Sequence, residues 1–463
     1  MSAQNIFRNI PKVDLLLEEL RRTDEYAHIP HVHLVSAIRL SLEGVRRDML
    51  DGLISAPPDR EKLWGRIKAE LENEMSFSLR PVINATGIVL HTNLGRSVLS
   101  REAAGHVARV AGAYSTLEYD SQNGTRGSRH QHLENILTRL CGAEAAMAVN
   151  NNAAAVLLIL TALFSGREVI VSRGELVEIG GAFRVPDIME QGGAILKEVG
   201  CTNRTRLSDY ARAIVPGLTG GLMKVHTSNY RLIGFTEETS LAELSRLARE
   251  RELPLVCDLG SGSFIDLSPL GIHDEPTVPQ IMAEGVDLAC FSGDKLMGGA
   301  QAGLIVGRRE LIDRLKQHPL ARAVRVDKLT LAALEATLRF YLDPDLAKKN
   351  IPTLAMLFAD PRSLKIKAEK LRDSLAGLYG LKLECLPTES LAGGGSAPER
   401  PLPSWAVSVI CERLGPDGLE AALRSADPPI IARIASDRLL LDVRTIDEAD
   451  FGSIIEAFRR LNS

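Results

Sequence analysis

Between about residue 81 and residue 340 the chain repeats one pattern: a short apolar run, a polar or glycine-rich turn, then a helical stretch. Ala145–Val149, Glu168–Val171, Gly221–Val225 and Leu253–Cys257 are the clearest runs, and Val286–Phe291 is another. Each is short and apolar at nearly consecutive positions, the signature of a strand buried on both faces. Their alternation with helices predicts an α/β fold, a mainly parallel sheet covered by helices on both sides. Such a sheet places its ligands at the carboxyl ends of its strands, so the residues just beyond the runs are where chemistry is expected.

The flanks read differently. In the first 75 residues, Val13–Leu20 and Leu34–Leu40 space their apolar positions as helices do, and another helix is expected from about Arg60 to Glu74, after Pro57 and Pro58. Met1 to Glu70 holds 11 Lys/Arg and 11 Asp/Glu, so this segment carries no bulk positive charge. It reads equally as a packing arm or as a binding module. Beyond residue 340, Trp405–Ile410 and Ile430–Ile434 are strand-like, and Ala435–Arg438 turns the chain into Leu439–Arg444 as a hairpin. A loop at Ala392–Pro398 interrupts this part, and a helix ending at Phe458–Leu461 closes it. The expected domains are therefore 1–75, helical; 76–340, large α/β; and 341–463, small α+β.

Composition narrows the classes of function. At 463 residues, 45% hydrophobic and 25% charged, the chain has the makeup of a soluble multidomain protein. Its longest apolar run, Ala153–Phe164, is too short to span a bilayer, and its N-terminus lacks a signal-like apolar core. Six scattered cysteines with no C-x-x-C pair point to reduced thiols in the cytoplasm. A net charge of −4 supplies no global field for nucleic acid, so any RNA must be held by local patches.

Three strand ends carry distinctive groups. After Ala145–Val149 the chain turns through Asn150, Asn151 and Asn152 into Ala153 and an alanine-rich helix, a place where backbone amides can hold a phosphate, although asparagine is also a common helix cap. After Leu253–Cys257 comes Asp258, followed by Leu259, Gly260, Ser261 and Gly262. An acid there can hold a protonated ring nitrogen, and taken alone it can equally be a helix cap or a metal ligand. After Val286–Phe291 come Ser292, Gly293, Asp294 and Lys295, where a serine can donate to phosphate and a lysine can form an imine. Between them, His226 or Asn229 can reach a phenolic oxygen, with a loop histidine as the plain alternative for His226. Phosphate turn, acid and lysine in that chain order suit pyridoxal 5′-phosphate, whose phosphate, ring nitrogen and aldehyde need those three groups. The glycines after Lys295 are expected to let the backbone pass close to the cofactor.

The chain resembles the bacterial selenocysteine synthases, the L-seryl-tRNA(Sec) selenium transferases, nearly end to end. The resemblance rests on Arg80–Asn84, Val89–Arg96, Val149–Val156, Ser172–Phe183, Lys224–Tyr230, Asp258–Ser263 and Phe291–Lys295 with its Gly-Gly-x-Gln-Ala-Gly tail. It implies fold type I of the pyridoxal phosphate enzymes, a seven-stranded-type sheet with a small C-terminal domain. It implies that seryl-tRNA(Sec) is converted to selenocysteinyl-tRNA(Sec) with selenophosphate, through an imine and an aminoacrylate. Lys295 is then the imine lysine and the base, and Asp258 the partner of the pyridinium. Asn151, Asn152, Ala153 and Ser292 serve the phosphate, and His226 and Asn229 the ring. Arg96, Arg322 and Arg325 would receive selenophosphate. The stretch from Arg308 to Lys328 carries 7 Lys/Arg against 3 Asp/Glu, and Arg322 and Arg325 are spaced to share a helix face. Arg126 and Arg129 lie in a loop expected to meet substrate or a neighbouring subunit. The resemblance also implies that the helical segment grips the tRNA, and that ten chains assemble as five dimers in the cytoplasm. Two rivals stay open: a pyridoxal phosphate lyase or transferase for a free small amino acid, and a non-catalytic RNA-binding protein of the same fold.

Overall fold

The computed structural model describes residues 10–26, 28–179, 183–228, 230, 232–395 and 400–462. The chain divides into two compact units, Met1–Pro81 and Val82–Ser463.

The first unit is built from helices α1 (Val13–Arg21), α2 (His31–Leu50) and α3 (Arg60–Met75). Leu16 and Leu20, Leu34, Ile38, Leu42 and Val45, and Leu63, Ile67 and Leu71 fall at helical spacing and meet in one core. Asp59 caps α3 by accepting from the Lys62 amide at 2.9 Å, so the helix starts just past Pro57 and Pro58.

The second unit is organised by a seven-stranded sheet. Its strands are β1 (Ala145–Val149), β2 (Glu168–Ser172), β3 (Ile195–Val199), β4 (Thr219–Val225), β5 (Leu255–Gly260), β6 (Leu288–Ser292) and β7 (Gly303–Gly307). They lie in the order β1-β7-β6-β5-β4-β2-β3. Only β7 runs antiparallel to its neighbours β6 and β1; the other pairings are parallel. In β1, Ala146 and Ala148 enter one apolar core while Ala145, Met147 and Val149 enter another, so the strand is apolar throughout because both faces are covered. Helix α4 (Asn152–Phe164) follows β1 directly and packs Val156, Leu158, Ile159 and Leu160 into the second core. The edge strand β3, Ile-Leu-Lys-Glu-Val, is largely open to solvent and lacks the continuous apolar run that marks the inner strands.

A five-stranded sheet forms the C-terminal part. It contains β8 (Leu381–Gly393), β9 (Leu402–Cys411), β10 (Arg433–Ala435) and β11 (Arg438–Asp442). The β10–β11 hairpin turns as expected, with Ser436 and Asp437 at φ of 49° and 55°, the left-handed geometry a two-residue hairpin requires. The fifth strand comes from far upstream: Ile88–Leu90 pairs parallel to the end of β8, and Ile83–Asn84 pairs parallel to Ile430–Ile431. The stretch leading into His91–Arg96 is thus an extension of this sheet. All six cysteines are free thiols. Among the described residues no helix is long and apolar enough to cross a membrane.

Candidate active site

The carboxyl ends of β1, β5 and β6 bring Asn151–Ala153, Asp258 and Ser292–Lys295 to one edge of the sheet. The tip of α4 is made by Asn151, whose side chain accepts from the Ala154 amide at 2.8 Å. That cap leaves the Asn152 and Ala153 amides at the helix end with no partner inside the helix. Gly303 of β7 passes this turn so closely that a Cβ there would lie 2.2 Å from the Asn151 carbonyl oxygen.

Asp258 and Lys295 are both buried, with residue exposures of 4% and 7%. Burial pushes the Asp258 carboxyl up from its ordinary value, while the Asn152 amide and the Lys295 charge pull it back. Burial holds the Lys295 amine below its ordinary value; Asp258 opposes that shift and Arg96 adds to it. The Asn152 side chain crosses to the acid, with Nδ2 donating to Asp258 Oδ1 at 2.8 Å. Cys290 of β6 places its Sγ 3.7 Å from the same oxygen. Ser292 ends β6 and is buried. Gly298 takes a φ of +71° in the turn after Lys295, and a Cβ there would lie 2.4 Å from the Ile351 side chain. What crowds that turn is the protein itself, so this glycine serves the turn's packing as well as its conformation.

His226 follows β4; its amide donates to the Asp258 carbonyl at 2.8 Å, and its Nε2 lies 3.4 Å from Glu275 Oε2. Glu275 in turn accepts from the Ser261 hydroxyl. Asn229 falls outside the described residues. A cavity of about 660 Å³ opens beside His226, and Glu175, Lys224, Ser228, Tyr230 and Arg400 are among its walls.

The arginines take different stations. Arg96 sits at φ 63° and ion-pairs with Asp294, next to Lys295, at 2.7 Å. Arg322 lies in the short helix Pro319–Ala323, which ends before Arg325, so the two do not share a helix face. Arg325 instead bridges antiparallel to Val149, and the Val324 carbonyl accepts from the Asn150 amide at 2.9 Å. This sets Arg325 beside the turn that opens α4. Arg322 and Arg325 are both exposed. Arg129 is held inward, donating to Glu118 at 2.5 Å and to the Val326 carbonyl at 2.6 Å; Arg126 stays exposed.

A family model described as SelA, L-seryl-tRNA selenium transferase, matches residues 82–447. The chain belongs to this family. It is 50% identical over 452 residues to the L-seryl-tRNA(Sec) selenium transferase of Moorella thermoacetica, covering 96% of this chain and 95% of that one. It is 47% identical over 463 residues to the enzyme of that name from Nitratidesulfovibrio vulgaris, covering 98% of each. Among solved structures, D-glucosaminate-6-phosphate ammonia-lyase superposes with a TM-score of 0.56 at 21% identity, over 85% of this chain and 98% of that one, a likeness of fold. The architecture is fold type I, as the resemblance led one to expect, with the mainly parallel, helix-covered sheet that the strand pattern predicted.

In this family member several groups escaped the reading of the sequence. Asp294 was legible only as the neighbour of Lys295, yet it is the partner of Arg96. Glu275 reaches His226 across 49 positions of chain and carried no local signal. Glu175 and Lys224 form a buried pair at 2.8 Å, and Glu175 also accepts from the Val225 amide, which clamps the end of β4 just before His226. A buried glutamate after a strand was the available hint.

Proposed function

We propose that this chain makes L-selenocysteinyl-tRNA(Sec) from L-seryl-tRNA(Sec) and selenophosphate, with pyridoxal 5′-phosphate held at Lys295. The reading is carried by a buried lysine and a buried acid at neighbouring strand ends, in a chain half identical to the Moorella thermoacetica enzyme of that activity.

The residues present fit the cofactor. Among the described residues, Asn152 Oδ1, Ser228 Oγ and His91 Nδ1 are buried polar atoms without a hydrogen-bond partner, and all three lie on segments that meet around Lys295 and Asp258. Protein interiors rarely leave such atoms unpaired, so a polar group is expected among them. Lys295 would hold the aldehyde carbon, Asp258 the ring nitrogen, and the Asn152 and Ala153 amides with Ser292 the phosphate; His226 would serve the ring oxygen. When bound, the cofactor supplies an electron-poor ring that takes up the charge left when the serine α-proton departs.

The chain supplies the rest. Burial keeps Lys295 nearer neutrality than a surface lysine, so its Nζ can take that proton. Asp258, when ionised, would set a negative charge where a protonated ring nitrogen needs one. Arg325, beside the opening of α4, and Arg322 offer exposed guanidinium groups to the anionic selenium donor, while Arg96 is partly committed to Asp294. Across the whole reaction the serine β-carbon exchanges its C–O bond for a C–Se bond. The P–Se bond of the donor is replaced by P–O, and phosphate leaves.

The helical unit supports a tRNA-binding role. Arg22, Arg60, Lys62, Arg66 and Lys68 are engaged by nearby carboxylates. Arg39, Arg46 and Arg47 of α2 are exposed and stay clear of such pairs among the described residues. A balanced charge count therefore still leaves basic groups for phosphates. The resemblance supports assembly as five dimers and work in the cytoplasm. The deciding experiment is turnover of seryl-tRNA(Sec) with selenophosphate, against free serine as the competing substrate. Product from free serine alone would give the site to a small amino acid.

A further inference from the structure

Asp258 can hold a protonated ring nitrogen only while ionised, and its surroundings work against that. The residue is 4% exposed. It adjoins Cys257, which points to the other face of its own strand. It meets Cys290 on β6, the charge of Lys295 beyond β6, Asn152 at the head of α4, and the Gly260 backbone amide, which also hydrogen-bonds it. Lys295 is the one cationic group among these, and its own amine is kept below the usual lysine range. The strongest neutral donor is the Asn152 carboxamide at 2.8 Å; the Cys290 thiol, at 3.7 Å, is a weak one. An ionised carboxylate can only accept, so the amide nitrogen of Asn152 must face it.

We propose that Asn152 is a positioning residue for Asp258: its carboxamide keeps the acid ionised and turned toward a ring nitrogen, while the turn's backbone alone is left for phosphate. The turn divides its labour in that way. The Asn151 side chain closes the helix by accepting from Ala154, and the Asn152 side chain leaves the helix end altogether for a residue 106 positions away. The phosphate end and the ring end of the site are thereby joined by one side chain. This inference rests on the cofactor reading above, and it assigns Asn152 a role different from the phosphate contact its position in the turn suggested.

The test compares two aldehydes, pyridoxal 5′-phosphate and pyridoxal, which differ only in the phosphate. Their dissociation constants are measured from the absorbance of the bound form on the wild type, Asn152→Ala, Asp258→Ala and the double variant. A hydrogen bond to a charged group predicts that Asn152→Ala weakens both aldehydes by the same factor, roughly 10- to 100-fold. In the Asp258→Ala background it should add almost nothing. A loss confined to the phosphorylated aldehyde, an undiminished loss in the Asp258→Ala background, or no loss at all overturns the proposal. Should Asn152→Ala fail to fold, Asn152→Asp keeps the shape and sets one carboxylate against another. Binding of both aldehydes should then weaken at neutral pH and recover as the pH is lowered and the two acids share a proton; binding that does not recover overturns the proposal. A wild-type protein that takes up neither aldehyde overturns the cofactor reading itself, and this inference with it.

Discussion

In the helical unit, Arg22, Arg60, Lys62, Arg66 and Lys68 meet their carboxylates at a wet surface, where such pairs contribute little and salt screens them. In the second unit, Lys295 and Asp258 face each other out of water, and each is pushed toward its neutral form. One region keeps its charges ordinary and leaves Arg39, Arg46 and Arg47 exposed. The other alters what its charges are. Surface charge suits binding a polyanion, whose affinity scales with the phosphates neutralised. Burial suits proton transfer, which needs a group that changes charge near working pH. The two units should therefore fail in different ways.

The largest effect is expected at the buried site. Lys295→Ala should lower turnover by about 10³-fold or more, because base and imine carbon partner go together. The protein should stay folded and seryl-tRNA(Sec) binding should be little changed. Mass spectrometry after borohydride reduction with pyridoxal 5′-phosphate checks the site; a stoichiometric adduct on the variant would remove Lys295 from its role.

Next in size come Arg322→Ala and Arg325→Ala, each expected to slow the selenium step by roughly 10- to 100-fold, the worth of a charge-assisted contact. Loss of the serine hydroxyl should be nearly untouched. Rapid-quench kinetics with and without selenophosphate separate the two steps, and an equal slowing of both would place these arginines elsewhere.

In the helical unit, replacing Arg39, Arg46 and Arg47 together by alanine should weaken seryl-tRNA(Sec) binding by about tenfold at low salt, with a shallower dependence on salt. Cofactor uptake should not change. If binding retains the wild-type salt slope, α2 is a packing helix and the comparison between the units collapses.

The smallest effect is a shift along the pH axis. A neutral amine attacks the aldehyde, and burial disfavours the charged form of Lys295, so its midpoint lies below the ordinary 10.5. Trapping of pyridoxal 5′-phosphate at Lys295 should thus reach half-maximal rate at lower pH than trapping at surface lysines. Matching profiles would mean that water reaches Lys295 freely.

The same contrast explains what could be read from the sequence. The inner strands were visible because a strand buried on both faces is apolar at nearly every position: β1 wholly, and β4, β5 and β6 apart from Thr219 and Lys224, Asp258, and Ser292. The edge strand β3 was missed because its Lys-Glu pair faces water. Asp258 was found because it follows Leu253–Cys257 at once, and Lys295 because it stands in the turn that follows Val286–Phe291. The bond from Asn152 to Asp258, the bridge of Arg325 to Val149 and the reach of Glu275 to His226 join segments far apart in the chain. Only the folded sheet brings those partners together, so no local pattern announces them. Arg322 and Arg325 were expected on one helix face because their spacing allowed it; the helix stops at Ala323 and the chain turns to pair with β1.

The upstream strand of the C-terminal sheet has a mechanical consequence. Ile88–Leu90 is stitched to the end of β8, and a few residues later Arg96 grips Asp294 while the Ser97 hydroxyl donates to the Gly299 carbonyl at 2.6 Å. The segment is a strut: one end is bolted to the C-terminal sheet, the other to both sides of the turn that bears Lys295. The tie reaches the lysine turn but not the tip of α4, which is seated on β1 and β7. The C-terminal part is thereby tied, through one short segment, to the turn that carries Lys295.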